Sequence, residues 1–419
     1  MSTFDSSPTA NPDAKPLKAL NTVSVLDAAR DGRQLTGVEA LHLLQLHRED
    51  DLQALRQAAD EVRQRQVGDA VRYGSAASLF LTSFCELAPT LYDYPKTAGD
   101  ERGYVLTIDD LDETLERLTA QSIGKLYLSG GGFWSTLVIP GLEEPTGLKT
   151  YARVLTYLRE QAPTLEITGF SPDEIEFLSI VSDRDAVYLL ELFKDLGLHG
   201  LGGNGAEILV DEVRQRVSPK KASVKRWFEI VSAAATVGLP VQARLEAGPL
   251  ETLPQRVTHL EKLRRFLSKE EDDKAFKPFS GLVPQMWTRL PATLITPKAH
   301  QPCVRPEDRL KLTAVTRLFL GDVLPDQQVF WQPDGANEAQ DALQWGANVL
   351  GETNALAYPA FLADSKSARK PGQEFSQEFS SEDFRRLIVE TGRTPELCPV
   401  AGQLHKFTVI NWPRNSGRL

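Results

Sequence analysis

Cysteine is scarce in this 419-residue chain, with three in all at positions 85, 303 and 398. So few and so scattered, they exclude a disulfide framework and fit a reducing compartment. No apolar run approaches the length needed to cross a bilayer. The polar start MSTFDSSPTANPDAKPLKA lacks an apolar signal core, so a flexible tail over 1–20 and a cytoplasmic, membrane-free protein are expected. Basic residues are not in excess either. A net charge of −10 argues against a nucleic-acid ligand, because phosphate binding needs clustered Lys and Arg. Basic pieces such as SPKKASVKR alternate with acidic ones and are read as solvated helix faces. The histidines at 42, 47, 199, 259, 300 and 405 form no metal-spaced pair, and dinucleotide, Walker and GxSxG motifs are absent.

What is present is the composition of a globular protein, 41% hydrophobic and 25% charged, long enough for one large α/β domain with extensions. Apolar residues at three- and four-residue intervals predict two helices between about 36 and 66, the first opened by a capping box of Thr36 and Glu39. The runs ASLFLTS (77–83), GKLYLSG (124–130), TLEITGF (164–170), GLHGLG (197–202), LPVQARLEA (239–247) and KPFSGLVPQ (277–285) are predicted strands, apolar enough to be buried on both faces. Amphipathic helical patterns separate them. Six such alternations argue for parallel βαβ units, in an open doubly wound sheet or a barrel, with the ligand site at the C-terminal strand ends either way. Those ends carry CELAPTLYDYPK, GGGFWS, SPDEIEF, GNGAEI, EAGPLE and MWTRLP. The divisions expected are a helical segment over 21–68, a barrel-like body over 69–300 and an extension over 301–419, the last with an exposed, mobile loop at 361–385.

Few residues stand out for chemistry. The turn SGGGF (129–133) brings backbone N–H groups close to a ligand or simply turns the chain tightly. In GGNGAEILVDEV (202–213), Glu207 either hydrogen-bonds a hydroxylated ligand or favours the start of the helix that opens there. Arg244, inside the apolar strand VQARLEA, either pairs with a carboxylate such as Glu246 or faces a ligand carboxylate. His199 is the one histidine placed near a barrel mouth.

These loops, in their order and spacing, resemble the radical S-adenosylmethionine (SAM) enzymes that build deazaflavin and menaquinone precursors: the deazaflavin synthase subunits, aminofutalosine synthase and cyclic dehypoxanthine futalosine synthase. The resemblance runs from about 36 to about 400. It is carried by VGDAVRY, GGG, GFSPDEI, GANVLGET and above all GGNGAEILVDEVRQRVSPKKASVKRWFEIVSAAATVGLP. It implies a partial (β/α)6-type TIM barrel with N-terminal helices and a C-terminal α/β extension. It implies, too, a SAM pocket with Gly130, Gly131 and Gly132 facing the methionine part, Ser171, Asn204 and Glu207 near the ribose or carboxylate, and Arg244 at a carboxylate. The aromatics Tyr92, Tyr94, Phe133, Trp134 and Trp287, with His199, would line a pocket for a small aromatic or nucleoside-like ligand.

The departures matter as much. In that family the first strand ends in C-x3-C-x2-C, whose thiolates hold a [4Fe–4S] cluster, whereas here Cys85 is followed by Pro89 and Tyr92 at the second and third positions. Where relatives carry a Gly-His segment after the fifth strand, this chain reads LEAGPLE. The expectation is a degenerate iron–sulfur site without a [4Fe–4S] cluster, in a pseudoenzyme that partners an active radical SAM paralogue in cofactor or quinone-type biosynthesis. The alternatives are an enzyme doing cluster-free chemistry in a retained SAM pocket, or a radical SAM enzyme whose unusual cluster site draws in Cys303 or Cys398.

Overall fold

The computed structural model of the chain describes residues 20–74, 76–87, 96–120, 122–130, 132–133, 139–141, 147–203, 206–248, 250–269, 278–286, 305–330, 335–351, 357–358 and 381–398. Three helices precede the first strand where two were expected. Helix α1 (Thr22–Arg30) is capped by the Asn21 side chain, which accepts from the Ser24 N–H. Helix α2 (Gly37–Leu44) opens on the predicted box, Thr36 N–H donating to Glu39 at 2.8 Å and Glu39 N–H to the Thr36 hydroxyl at 3.3 Å. The Arg33 guanidinium binds Glu39 and, against some desolvation, holds its carboxyl down at about 2. Helix α3 (Glu49–Val67) follows and packs its Leu55, Ala58, Ala59 and Val62 face into the main core.

All six predicted barrel strands form. They are β2 (Ala76–Phe80), β3 (Lys125–Ser129), β4 (Glu166–Gly169), β5 (Leu198–Gly200), β6 (Val241–Ala247) and β7 (Phe279–Met286), after a short β1 (Ala70–Tyr73). Helices α4 (Ile108–Ala120), α5 (Leu148–Gln161), α6 (Pro172–Ser182), α7 (Ala186–Asp195), α8 (Asp211–Val217), α9 (Val224–Val237) and α10 (Leu253–Lys269) lie between them. Neighbours pair in parallel from β2 to β5, a bridge from Leu201 to Val241 links β5 to β6, and β6 pairs with β7. Helix α11 (Pro306–Leu320) then leads to β8 (Gln328–Phe330), bridged to β7 through Leu282 and Gln327. After α12 (Ala336–Gln344), β9 (Val349–Gly351) pairs with β8 and β1, and β10 (Ala357–Tyr358) pairs with β2. The C-terminal part therefore continues the parallel pairing from β7 through β8 and β9 to β1, and separately adds β10 to the edge of β2. The main core is correspondingly continuous from Val25 to Leu324, taking in Leu312, Val315 and Phe319 of α11.

A second core lies at β1. Val71 and Tyr73 pack with Leu343, Leu350 and with Phe384 and Ile388 of α13 (Ser381–Glu390), which precedes β11 (Thr394–Leu397). Residues 381–385 are thus helical, which corrects that end of the expected loop, while 361–380 lie outside the described residues. Among the described residues no helix is long and apolar enough to cross a membrane.

The strands are two-faced rather than apolar throughout. Val241, Ala243, Leu245 and Ala247 of β6 are buried apolar residues, while Gln242, Arg244 and Glu246 alternate with them on the other face. The Gln242 amide reaches Gln328 of β8 at 3.1 Å, past the intervening β7, so this polar face looks into the barrel. A polar lumen is where a ligand-binding barrel departs from one filled for stability alone.

Candidate functional site

The glycine turn after β3 is held open by its neighbours. Gly130 takes φ +120°, a conformation that favours glycine, and its N–H donates to Glu174 Oε1 at 2.9 Å. Glu174 is the third residue of α6, where it also accepts the Ser171 N–H at 2.7 Å while Ser171 caps the helix. The buried Tyr151 hydroxyl lies against the carbonyls of Gly130 and Phe133. Gly132 touches the loop after β2: a Cβ there would lie 3.0 Å from the Cys85 sulfur and 3.2 Å from Leu87 Cδ1, and the Gly132 carbonyl accepts the Glu86 N–H at 2.7 Å. Phe84 and Phe133 pack ring to ring at 5.4 Å. The half-buried Cys85 therefore sits directly on the glycine turn.

A buried charge network closes the site from the side of α6, α8 and the α8–α9 loop. Arg214 donates to Asp173 Oδ1 at 2.9 Å, to the Ala206 and Ala222 carbonyls, and to Glu207 Oε2 at 3.4 Å. Lys221 pairs with the other Glu207 oxygen. Its neighbour Lys220 donates to the Glu86 carbonyl at 3.1 Å, so this one loop fastens the network to the Cys85 loop. Burial pushes Glu207 up to about 7, although Lys221 and Arg214 pull it down; Asp173 is raised by the same cause. Burial pulls Lys221 down and the Glu207 carboxylate more than reverses it. Asp173 Oδ2 has no hydrogen-bond partner.

This corrects three expectations. SPKKASVKR is not merely a solvated face, since the Lys221 side chain turns inward, 7% exposed, to pair Glu207. SPDEIEF is not a loop: α6 starts at Pro172, and the sequence signal, Ser then Pro at the first helical position with Glu three after Ser, was there to be read. The helix near Glu207 starts four residues later, at Asp211, because Glu207 itself stands at φ +35°.

Helix α10 pins the same loop. The Leu209 N–H donates to His259 Nδ1 at 2.9 Å and Lys262 donates to the Leu209 carbonyl at 2.8 Å. His259 is fully buried, and burial lowers it to about 3 from 6.5. The folded state keeps the ring neutral while the unfolded chain protonates it, so this group's contribution to stability is whole above pH 6.5 and is lost as pH falls toward about 3. We expect His259→Gln to flatten that acid limb in denaturation midpoints measured between pH 4 and pH 7, the range below the ring's ordinary 6.5 being where the two proteins diverge.

Arg244 donates to Glu246 at 3.0 Å and lies over the Phe330 ring at 5.4 Å, with its Nε unpartnered inside the lumen. Close packing of β5 on β6 depends on Gly203, whose added Cβ would fall 2.0 Å from the Gln242 carbonyl, whereas at Gly202 the nearest atom is 3.5 Å away. Gly203→Ala is expected to lower stability by about 1–3 kcal/mol and Gly202→Ala much less, as urea titration would measure.

Not every candidate gathers here. His199 lies at the other end of the barrel from the glycine turn, where its Nδ1 accepts the Ile167 N–H at 3.1 Å in a β4–β5 register shift and the residue lines a separate cavity. Cys398 also lies at that end, beside Gly74 and bonded through its N–H to the Tyr73 carbonyl at 2.7 Å. Pro89, Tyr92, Tyr94, Gly131, Trp134, Asn204, Trp287 and Cys303 fall outside the described residues.

No protein-family model matches the chain. The curated 5-amino-6-(D-ribitylamino)uracil--L-tyrosine 4-hydroxyphenyl transferase of Cyanothece sp. (strain PCC 7425 / ATCC 29141) is 30% identical over 344 residues, 81% of this chain and 88% of its own. The chain belongs to this transferase family. The enzyme of the same name from Synechocystis sp. (strain ATCC 27184 / PCC 6803 / Kazusa) is 28% identical over 362 residues, covering 86% of this chain and 88% of its own. Two solved structures share the fold at low identity. Methylornithine synthase matches with a TM-score of 0.61 at 16% identity over 89% of this chain and 97% of its own. The FeFe-hydrogenase maturase HydG from Carboxydothermus hydrogenoformans matches with a TM-score of 0.61 at 14% identity over 90% and 80%. The family member described here is a radical SAM superfamily barrel, as the resemblance implied.

Proposed function

We propose that this chain is a non-catalytic member of the transferase family, a barrel that acts beside an active radical SAM enzyme in cofactor biosynthesis. The names of its relatives describe a 4-hydroxyphenyl transferase of L-tyrosine and 5-amino-6-(D-ribitylamino)uracil, and a small aromatic or nucleoside-like ligand here would belong to that chemistry.

The observation behind this reading is the donor set at the end of β2. A [4Fe–4S] cluster of this kind is held by three cysteine thiolates. Cys85 stands in place against Gly132, but Pro89 has no side-chain donor and the Tyr92 phenol ionises only near 10. Cys398 sits at the opposite end of the barrel. Among the described residues no group of three His, Cys, Asp or Glu side chains is placed to hold a metal. One thiolate, a proline and a phenol do not make the donor set of a cluster held on three thiolates.

Two of the polar groups assigned to SAM are also engaged within the chain. Ser171 is committed to its capping box and Glu207 to Lys221 and Arg214. One feature favours the second reading, an enzyme with cluster-free chemistry: a carboxyl near neutrality, Glu207, beside a glycine turn. Calorimetric titration with SAM, and size-exclusion chromatography with a homologue carrying the full cysteine motif, separate the two. The proposal expects no SAM binding and a stable complex; saturable SAM binding with no complex would replace it by the second reading.

A further inference from the structure

The end of the barrel opposite Cys85 holds a cavity of about 440 Å³, within the range of small-molecule sites. Its walls come from the N-terminal halves of the strands, and its cover from β1 and β11 with Leu397 and Cys398. Two ion pairs face it, Arg72 with Asp326 and Lys125 with Glu166, the latter at 3.2 Å. All four side chains are partly exposed, between 22% and 38%, so they are reachable from the cavity. Its inner boundary is the Gln242–Gln328 amide pair, beyond which lie Arg244 and Phe330. Gln328 is buried, and its Nε2 has no hydrogen-bond partner, a donor left without an acceptor.

We propose that this cavity is a second binding site, for a small zwitterion of free amino-acid type. Two cations and two anions on its walls cancel, so neither a bare anion nor a bare cation is favoured. A ligand carrying one of each charge gains a charge-assisted hydrogen bond at both ends. The site is independent of whether the opposite end binds a cluster or SAM, because none of these residues touches the Cys85 loop or the Glu207 network.

The test is calorimetric titration of the full-length protein with free L-amino acids one at a time, with acetate, methylamine and glycerol as singly charged and neutral controls. At least one amino acid is expected to bind saturably and the controls not. The charge-balanced pairs Lys125→Met with Glu166→Gln and Arg72→Met with Asp326→Asn should each weaken it about tenfold or more. The circular dichroism and urea midpoint of both variants should match those of the parent, which separates a lost site from a lost fold. No saturable amino-acid binding up to about 10 mM, or binding unchanged in both variants, would overturn the proposal.

Discussion

Lys221→Met is expected to lower unfolding free energy by about 3–5 kcal/mol, and Glu207→Gln by a similar amount, while the two together cost much less than their sum. The reason is burial. Glu207 is only 2% exposed and Lys221 7%, so Glu207→Gln strips Lys221 of its carboxylate, while Lys221→Met leaves Glu207 with Arg214 alone at 3.4 Å. Arg214 keeps Asp173 in every case, so the double variant leaves no orphaned charge. The coupling energy from chemical denaturation of the four proteins measures this, and simple additivity would contradict it. The pH profile adds a second signature. Because Glu207 is raised above its ordinary 4.5 to about 7, its contribution is whole below 4.5 and is lost as pH rises through about 7. The double variant should lack that decline.

If the wild-type chain takes up no stoichiometric cluster, as proposed, Pro89→Cys with Tyr92→Cys is expected to give one that does. Cys85 is already seated on Gly132, where a Cβ would come within 3.0 Å of its sulfur, and the Glu86 backbone next to it is tied to both Gly132 and Lys220. The frame around the first ligand is intact, and what is missing is donors. Iron and labile sulfide after anaerobic reconstitution would rise from background to one cluster per chain in the double variant. If they stay at background, the loop has changed by more than its ligands.

The barrel was legible because its strands and helices differ in period, and all six runs from ASLFLTS to KPFSGLVPQ became β2 to β7. The short strands β9 and β10 were not, because two or three residues leave no periodicity to detect. Helix α1 was missed for a similar reason, its nine residues sitting just behind a polar tail. At the site, glycine and cysteine positions could be read from sequence, since the SGGGF turn and Cys85 do meet. The partners of Glu207 could not be: Lys221 and Arg214 sit in stretches whose charge suggests solvent, and only the tertiary fold turns them inward. His199 misled because an apolar strand of three residues does not reveal which end of the barrel its histidine approaches.

On the proposed reading, this radical SAM barrel assembles no [4Fe–4S] cluster at Cys85, Pro89 and Tyr92. Anaerobic reconstitution of the wild-type protein, with iron and sulfide quantified beside Cys85→Ala, tests it most directly. Both proteins are predicted to show the same background iron and no visible charge-transfer absorption; a full [4Fe–4S] complement in the wild type that disappears in Cys85→Ala would contradict the account.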